Sequence, residues 1–219
     1  GDPADAAGLL NSAFDSGRPT LFFYPTICRN DREYLAPRAA TTRLIPIGKA
    51  RFLERGSELT VVTWGSTVSI CRKLAETLHA AGVSLDLIDL RSISPWDRDA
   101  VCQSVQKTGH LIVVHEDNLT AGFGAEVVAT VSEAVPGQIA VRRITRPDTY
   151  VPCHFASTLE ILPSLDRLVS ATAALFDLEL QLSRLPVTAD TAELIRALVS
   201  RRPGPTAPAS PSPAASAEC

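Results

Sequence analysis

His115, Glu116 and Asp117 are the one compact cluster of a histidine with carboxylates in the chain. An imidazole beside two carboxylates is the equipment of an acid–base pair, or half of a metal site. A metal would need further ligands, and His154 is the other candidate near a strand end; a hydrogen-bonding or subunit-interface role is the plainer reading. Asp89 and Arg91 flank Leu90, where a local ion pair or a cap on a neighbouring loop outweighs contact with a substrate. Thr120-Ala121-Gly122-Phe123-Gly124-Ala125-Glu126 lies between an expected strand and an expected helix, where backbone N–H groups can hold an anion. The third glycine of a nucleotide-binding turn is missing, and Glu126 would repel phosphate. Gly122 and Gly124 therefore read as residues of a tight turn and close helix packing. The sequence has no nucleophile elbow, Walker loop or H-E-x-x-H helix.

Positioning these residues requires an alternating fold. Leu85 to Leu90 and Leu111 to Val114 are short apolar runs, separated by a helix-period segment that starts near Asp97 and stops at Gly109. Crossovers of this kind join parallel strands, so Asp89, Arg91, His115, Glu116 and Asp117 should gather on the carboxyl edge of one sheet, where open α/β sheets bind ligands. Pro95-Trp96-Asp97 reads as the helix start, with Trp96 over that edge.

Upstream, LTVVTW at 59 to 64 is a buried strand closed by Gly65. Ser66 is expected to cap the next helix, in which Val68, Cys71, Leu74, Ala75 and Leu78 face inward and Gly82 supplies the stop. Downstream, a helix over 125 to 135 turns Val127, Val128, Val131 and Ala134 inward, 139 to 144 adds a strand, and a last helix follows Pro163. The fold class is α/β, a three-layer αβα domain around a mostly parallel five-stranded sheet. Ahead of it, residues 4 to 14 suit a short helix and Thr20 to Tyr24 a buried strand. The stretch 25–44 reads as a linker.

After the domain the pattern changes. Leu178, Leu180 and Leu182 alternate with polar residues as a half-buried arm would, and Asp190 with Glu193 can box the start of a helix carrying Leu194 and Leu198. Residues 203–219 are too rich in Pro, Ala and Ser to bury a core and read as disordered.

A net charge of −3 and the lack of a basic stripe argue against nucleic acid. No apolar run reaches the roughly 18 residues that would span a bilayer. Five cysteines, an odd number without a C-x-x-C pair, fit a reduced intracellular chain without structural zinc. A cytoplasmic location is expected, with the mitochondrial matrix left open. Lys49, Lys73 and Lys107 are the only lysines among 21 basic residues, as in a GC-rich bacterial genome. The lack of any methionine, even at position 1, is expected of a fragment or a processed product.

Several segments occur in a recognisable order: IPIGKA at 45 to 50, TVVTWG at 60 to 65, IDLRSISPWD at 88 to 97, SVQKTGHLIVVHED at 104 to 117, TAGFGAE at 120 to 126 and PDTYVP at 147 to 152. Together they resemble the carboxyl-terminal domain, transketolase C-terminal-like, of the β-subunit of thiamine-diphosphate-dependent 2-oxo-acid dehydrogenases. The resemblance covers about 45–180. The Pro-Trp-Asp and Lys-Thr-Gly forms lean towards the branched-chain type. ADAAGLLNSAF and TLFFY are similar to the end of that subunit's preceding pyrimidine-binding domain, which makes 1–24 its remnant and 181–202 an extra arm and helix.

The resemblance implies a parent complex that decarboxylates a branched-chain 2-oxo acid or pyruvate and passes the acyl group to a lipoyl arm. Thiamine diphosphate and magnesium would be held by the missing domain and the α-subunit, and none by this chain alone. It further implies a β-subunit dimer, an α-subunit partner and docking of an acyltransferase core, with Asp89, Arg91, His115, Glu116, Gly122, Phe123 and Gly124 at an interface or loop-supporting edge. None of them is expected to be a catalytic base or nucleophile. Alternatives are a non-catalytic docking module and a fragment of a transketolase or deoxyxylulose-phosphate synthase. Cys153-His154-Phe155 departs from the family's usual tyrosine-containing turn.

Overall fold

A computed structural model of the chain describes residues 3–25 and 43–176. All of the 25–44 linker except Pro25, Arg43 and Leu44 lies outside the described residues, as do Leu178, Leu180, Leu182, Leu194 and Leu198 of the arm and the 203–219 tail.

Helix α1 (Pro3–Asp15) precedes a five-stranded sheet made of β1 (Arg51–Glu54), β2 (Leu59–Thr63), β3 (Leu85–Asp89), β4 (His110–Asn118) and β5 (Ala140–Arg146). Three more helices alternate with the strands and two close the domain. These are α2 (Thr67–Ala80), α3 (Arg98–Thr108), α4 (Phe123–Ala134), α5 (Phe155–Ile161) and α6 (Leu165–Leu175). The strand order is β1-β3-β2-β4-β5, with every pairing parallel except β1 against β3.

The pleat divides each central strand between two layers. Leu59, Val61, Leu85, Leu87, Ile112 and Val114 meet the stripes of α2 and α6, while Val62, Ile88, Leu111 and Val113 meet those of α3 and α4. Strands buried on both faces are near-continuously apolar rather than alternating, and the polar exceptions in β2 and β3, Thr60, Thr63, Asp86 and Asp89, are buried as well. The α2 stripe is as expected: Val68, Cys71, Leu74, Ala75 and Leu78 are all buried. Each buried leucine there contributes about 1.5–3 kcal/mol. Asp97 caps α3 by accepting from the Ala100 N–H, and Gly109 ends it at φ 69°.

Three local expectations are corrected. Thr20 to Tyr24 is not a buried strand: among the described residues it pairs with no strand, and Leu21, Phe23 and Tyr24 are exposed, because neither edge of the five-stranded sheet reaches it. Ser66 does not cap α2 through its side chain; its backbone is already helical, and the neighbouring Thr67 hydroxyl instead donates to the Trp64 carbonyl. Ala134 is exposed and Val135 takes the buried position, since α4 ends there and the chain becomes extended. The antiparallel edge strand β1 and the short α5 are additional elements that the apolar pattern did not announce.

Helix α1 docks onto the domain partly through the Ile45 backbone N–H. The Ile45 N–H donates to Ser12 Oγ at 2.9 Å and to the Gly8 carbonyl at 3.3 Å. A Cβ at Gly8 would lie 2.7 Å from Ile45 Cγ1, so the close approach needs glycine.

Candidate functional site

In this strand order the chain leaves β2 for β3 on one side and returns to place β4 on the other. The carboxyl ends of β2 and β4 therefore flank the point where connections diverge to opposite faces, the crevice in which open α/β sheets take ligands. Side chains fill it here. The Trp64 ring, just past β2, stacks on His115 of β4 with centroids 4.9 Å apart and planes 13° apart. Phe123, the first residue of α4, stands edge-on to Trp64 at 5.6 Å and to Trp96 at 6.0 Å.

His115 is buried, and its Nδ1 accepts the Asp117 backbone N–H at 3.2 Å, so the neutral ring carries its proton on Nε2. Among the described residues Nε2 has no hydrogen-bond partner. It is pressed against the start of α4: a Cβ at Gly124 would collide with Nε2, and one at Gly122 would lie 2.8 Å from Cε1. The two glycines thus make room for an imidazole. Burial drives the His115 pKa below the ordinary histidine value; Asp117 pulls the other way and Arg143 adds to the lowering.

The His115–Glu116–Asp117 cluster is thereby split. The pleat turns Glu116 to the opposite face of β4, where it is exposed, and Asp117 is exposed beyond it. His154 is the N-cap residue of α5, where its Nδ1 lies 3.5 Å from the Ser157 hydroxyl. Among the described residues no group of three His, Cys, Asp or Glu is placed to hold a metal ion. Burial pushes the Cys71 thiol up to about 12, against a hydrogen bond from Thr63, so it is no nucleophile.

Asp89 and Arg91 lie on the far side of β2 from His115. Asp89 accepts the Arg91 backbone N–H at 3.1 Å, but the guanidinium turns elsewhere. Nη2 and Nε donate to the Lys49 carbonyl at 2.7 and 3.1 Å, and Nη1 reaches Asp5 Oδ1 of α1 at 3.4 Å. Arg51 Nη1 holds the other Asp5 oxygen at 2.9 Å. Arg91 caps a neighbouring loop, as the sequence suggested, and also ties down α1, which it did not.

The ordered segments meet in space. Gly48 donates its N–H to Ser92 Oγ, and Ala50 to Asp97 Oδ2, so residues 48–50 lie on the loop between β3 and α3. Thr120 donates its N–H and hydroxyl to Asp148 at 2.9 and 2.6 Å, which joins the glycine turn to the loop after β5. These hydrogen bonds hold the Asp148 carboxyl below the usual carboxylate range. Sequence reasoning named neither Trp64 nor Asp148 as part of the edge. The chain's two tryptophans, Trp64 and Trp96, both sit here, and their rarity was the available signal.

The fold and this packed edge define an α/β scaffold domain whose crevice is closed by rings and whose motif loops brace one another. Residues 48–166 match the family described as "Transketolase, C-terminal domain", and the chain belongs to that family. It is similar to 2-oxoisovalerate dehydrogenase subunit beta 2, mitochondrial, of Arabidopsis thaliana, with 35% identity over 155 residues covering 70% of this chain and 43% of the relative. It is also similar to the pyruvate dehydrogenase E1 component subunit beta of Bacillus subtilis (strain 168), with 34% identity over 176 residues covering 79% and 53%. The chain thus spans about half the length of these curated relatives. Among solved structures, a split-gene transketolase in an inactive beta4 tetramer superposes with a TM-score of 0.57 at 22% identity, covering 68% of this chain and 48% of the other, a likeness of fold.

Proposed function

We propose that the chain is the carboxyl-terminal part of the β-subunit of a 2-oxo-acid dehydrogenase, acting on a branched-chain 2-oxo acid or pyruvate, and that it serves subunit assembly and partner docking. The observation that carries this reading is spatial. The segments at 48–50, 91–97, 115–126 and 148 that resemble the β-subunits form one continuous braced edge.

In this reading residues 1–24 end the preceding domain. Exposed Leu21, Phe23 and Tyr24 support it, since a neighbouring sheet would cover them. Residues 181–202 are the extra arm, and 203–219 the tail. Thiamine diphosphate and magnesium belong to the parent complex, held by other polypeptide. The described residues do not fit the cofactor: His115 fills the glycine turn that would cradle a diphosphate. No catalytic step is assigned to them.

An apolar rim supports docking. Tyr150 is 95% exposed, Val151 57% and Leu119 40%, on loops joined by the Thr120–Asp148 hydrogen bonds. Asp89, Arg91, His115, Glu116, Gly122, Phe123 and Gly124 lie on or beneath this edge and support the loops that meet a β-subunit copy, an α-subunit or the acyltransferase core.

The test is reconstitution. The intact β-subunit joined to an α-subunit should decarboxylate a 2-oxo acid when given thiamine diphosphate and magnesium, and this chain alone should not bind the cofactor. Saturable cofactor binding by the chain alone would overturn the assignment of the cofactor to other polypeptide. Tyr150→Ser with Val151→Ser should weaken assembly without moving the Tm; unchanged assembly would remove the docking role of this rim. Deleting 177–202 separates the rim from the arm: a loss of assembly on that deletion alone would favour the docking-module alternative.

A further inference from the structure

We propose that a cleft of about 440 Å³ between α1, the segment leading into β1, and the loop after β3 is a binding site for a small organic polyanion, a phosphate ester or a polycarboxylate. Its walls include Arg43, Arg51, Arg55, Arg91, Asp5 and Phe52. The chain as a whole carries −3, yet this cleft gathers four guanidiniums around a single carboxylate, a local excess of +3. Charges of one sign converging on one concave surface raise the local concentration of the opposite ion.

The four arginines divide into two pairs. Arg91 and Arg51 are committed to Asp5, which is 3% exposed, and Arg91 also donates to two backbone carbonyls, at Lys49 and Ala50. They form the fixed floor. Among the described residues Arg43 and Arg55 have no carboxylate partner. Arg55 lies 3.2 Å from the Phe52 ring centroid, which holds the guanidinium in place while leaving its N–H donors to solvent. Arg51 opens β1 and Arg55 directly follows its last residue, and both line the cleft.

A planar fork of donors matches an oxyanion bidentately, and two such forks suit a ligand with more than one anionic group. The volume is that of a small-molecule site. The polar lining makes an apolar ligand a poor occupant. Since Arg43 follows α1 and Arg51, Arg55 and Arg91 come from the sheet, an occupant would also brace α1 against the domain. This inference does not depend on the reading of the parent complex.

The experiment is calorimetric titration of the full chain at low ionic strength with inorganic pyrophosphate in one arm and citrate in the other. Saturable one-to-one binding is expected in at least one arm, weakening as salt is added. Tighter pyrophosphate assigns a phosphate ester and tighter citrate a polycarboxylate. Arg43→Ala with Arg55→Ala should weaken binding at least tenfold with an unchanged Tm, and Arg55→Glu alone should do the same. Arg72→Ala, on the exposed face of α2, should bind like the parent. The proposal is overturned if neither anion binds saturably, if the Arg43 and Arg55 variants bind as tightly as the parent, or if Arg72→Ala weakens binding equally.

Discussion

Two buried polar clusters lie under the same helical layer, at opposite edges of the sheet, and they solve the same problem differently. At the amino edge the Asp86 carboxylate is inaccessible and fully used. It accepts the Gly56 N–H at 2.8 Å, the Ser104 hydroxyl at 2.6 Å and Lys107 Nζ at 2.7 Å, and Ser104 continues through Thr60 to Thr108. Burial opposes ionisation, but Lys107, Ser104 and Gly56 overcome it and hold this carboxyl below the usual range. At the carboxyl edge His115 is equally buried, uses one nitrogen, and leaves the other facing backbone. A satisfied network fixes one arrangement; an unsatisfied group relies on the rings and glycines around it.

The largest test of this contrast is steric. Gly124→Ala would drive a Cβ into His115 Nε2 with Val113 3.2 Å away, and should cost about 3 kcal/mol or more in urea unfolding. Adding His115→Ala should restore part of that loss if the ring is the obstacle; strict additivity would break the account.

Next comes Asp86→Ala, which strands Ser104 and the Gly56 N–H, although Lys107 can turn to solvent. About 2–3 kcal/mol is expected from the same unfolding measurement.

His115→Leu should cost about 1 kcal/mol or less, because removing an unpaired nitrogen offsets the lost stacking on Trp64. A loss as large as that of Asp86→Ala would erase the distinction between the clusters.

The pH dependence separates them again. The His115 pKa is lowered on folding, so the unfolded chain binds the proton more readily, and the stability in place above about 6.5 declines as pH falls through that value. His115→Leu should remove this decline. Asp86, also lowered, contributes stability that is complete above 3.8 and lost as pH falls further. Tm against pH should therefore drop in two stages, the upper one absent from His115→Leu. Smallest of all, Glu116→Ala on the exposed face should move stability by no more than about 0.5 kcal/mol.

Much of the fold was legible in the chain. The β2, β3 and β4 runs, the α2 stripe, the Asp97 cap and the Gly109 stop each follow from local period or backbone freedom. Thr20–Tyr24 misled because an apolar, aromatic-rich run reports only that a strand could form, and pairing depends on an edge supplied from elsewhere. The site was half legible. His115, Gly122 and Gly124 were singled out, yet adjacency in sequence suggested a cluster that the pleat takes apart.

Local period and glycine placement by themselves determined that this chain folds as alternating strands and helices with its marked residues on one edge, because those signals act over a few residues. Only the tertiary structure decided that Trp64 closes the crevice over His115, that Arg91 reaches back to Asp5, and that Asp86 sits in a complete network. Each of these depends on which strands become neighbours and on the face each side chain takes.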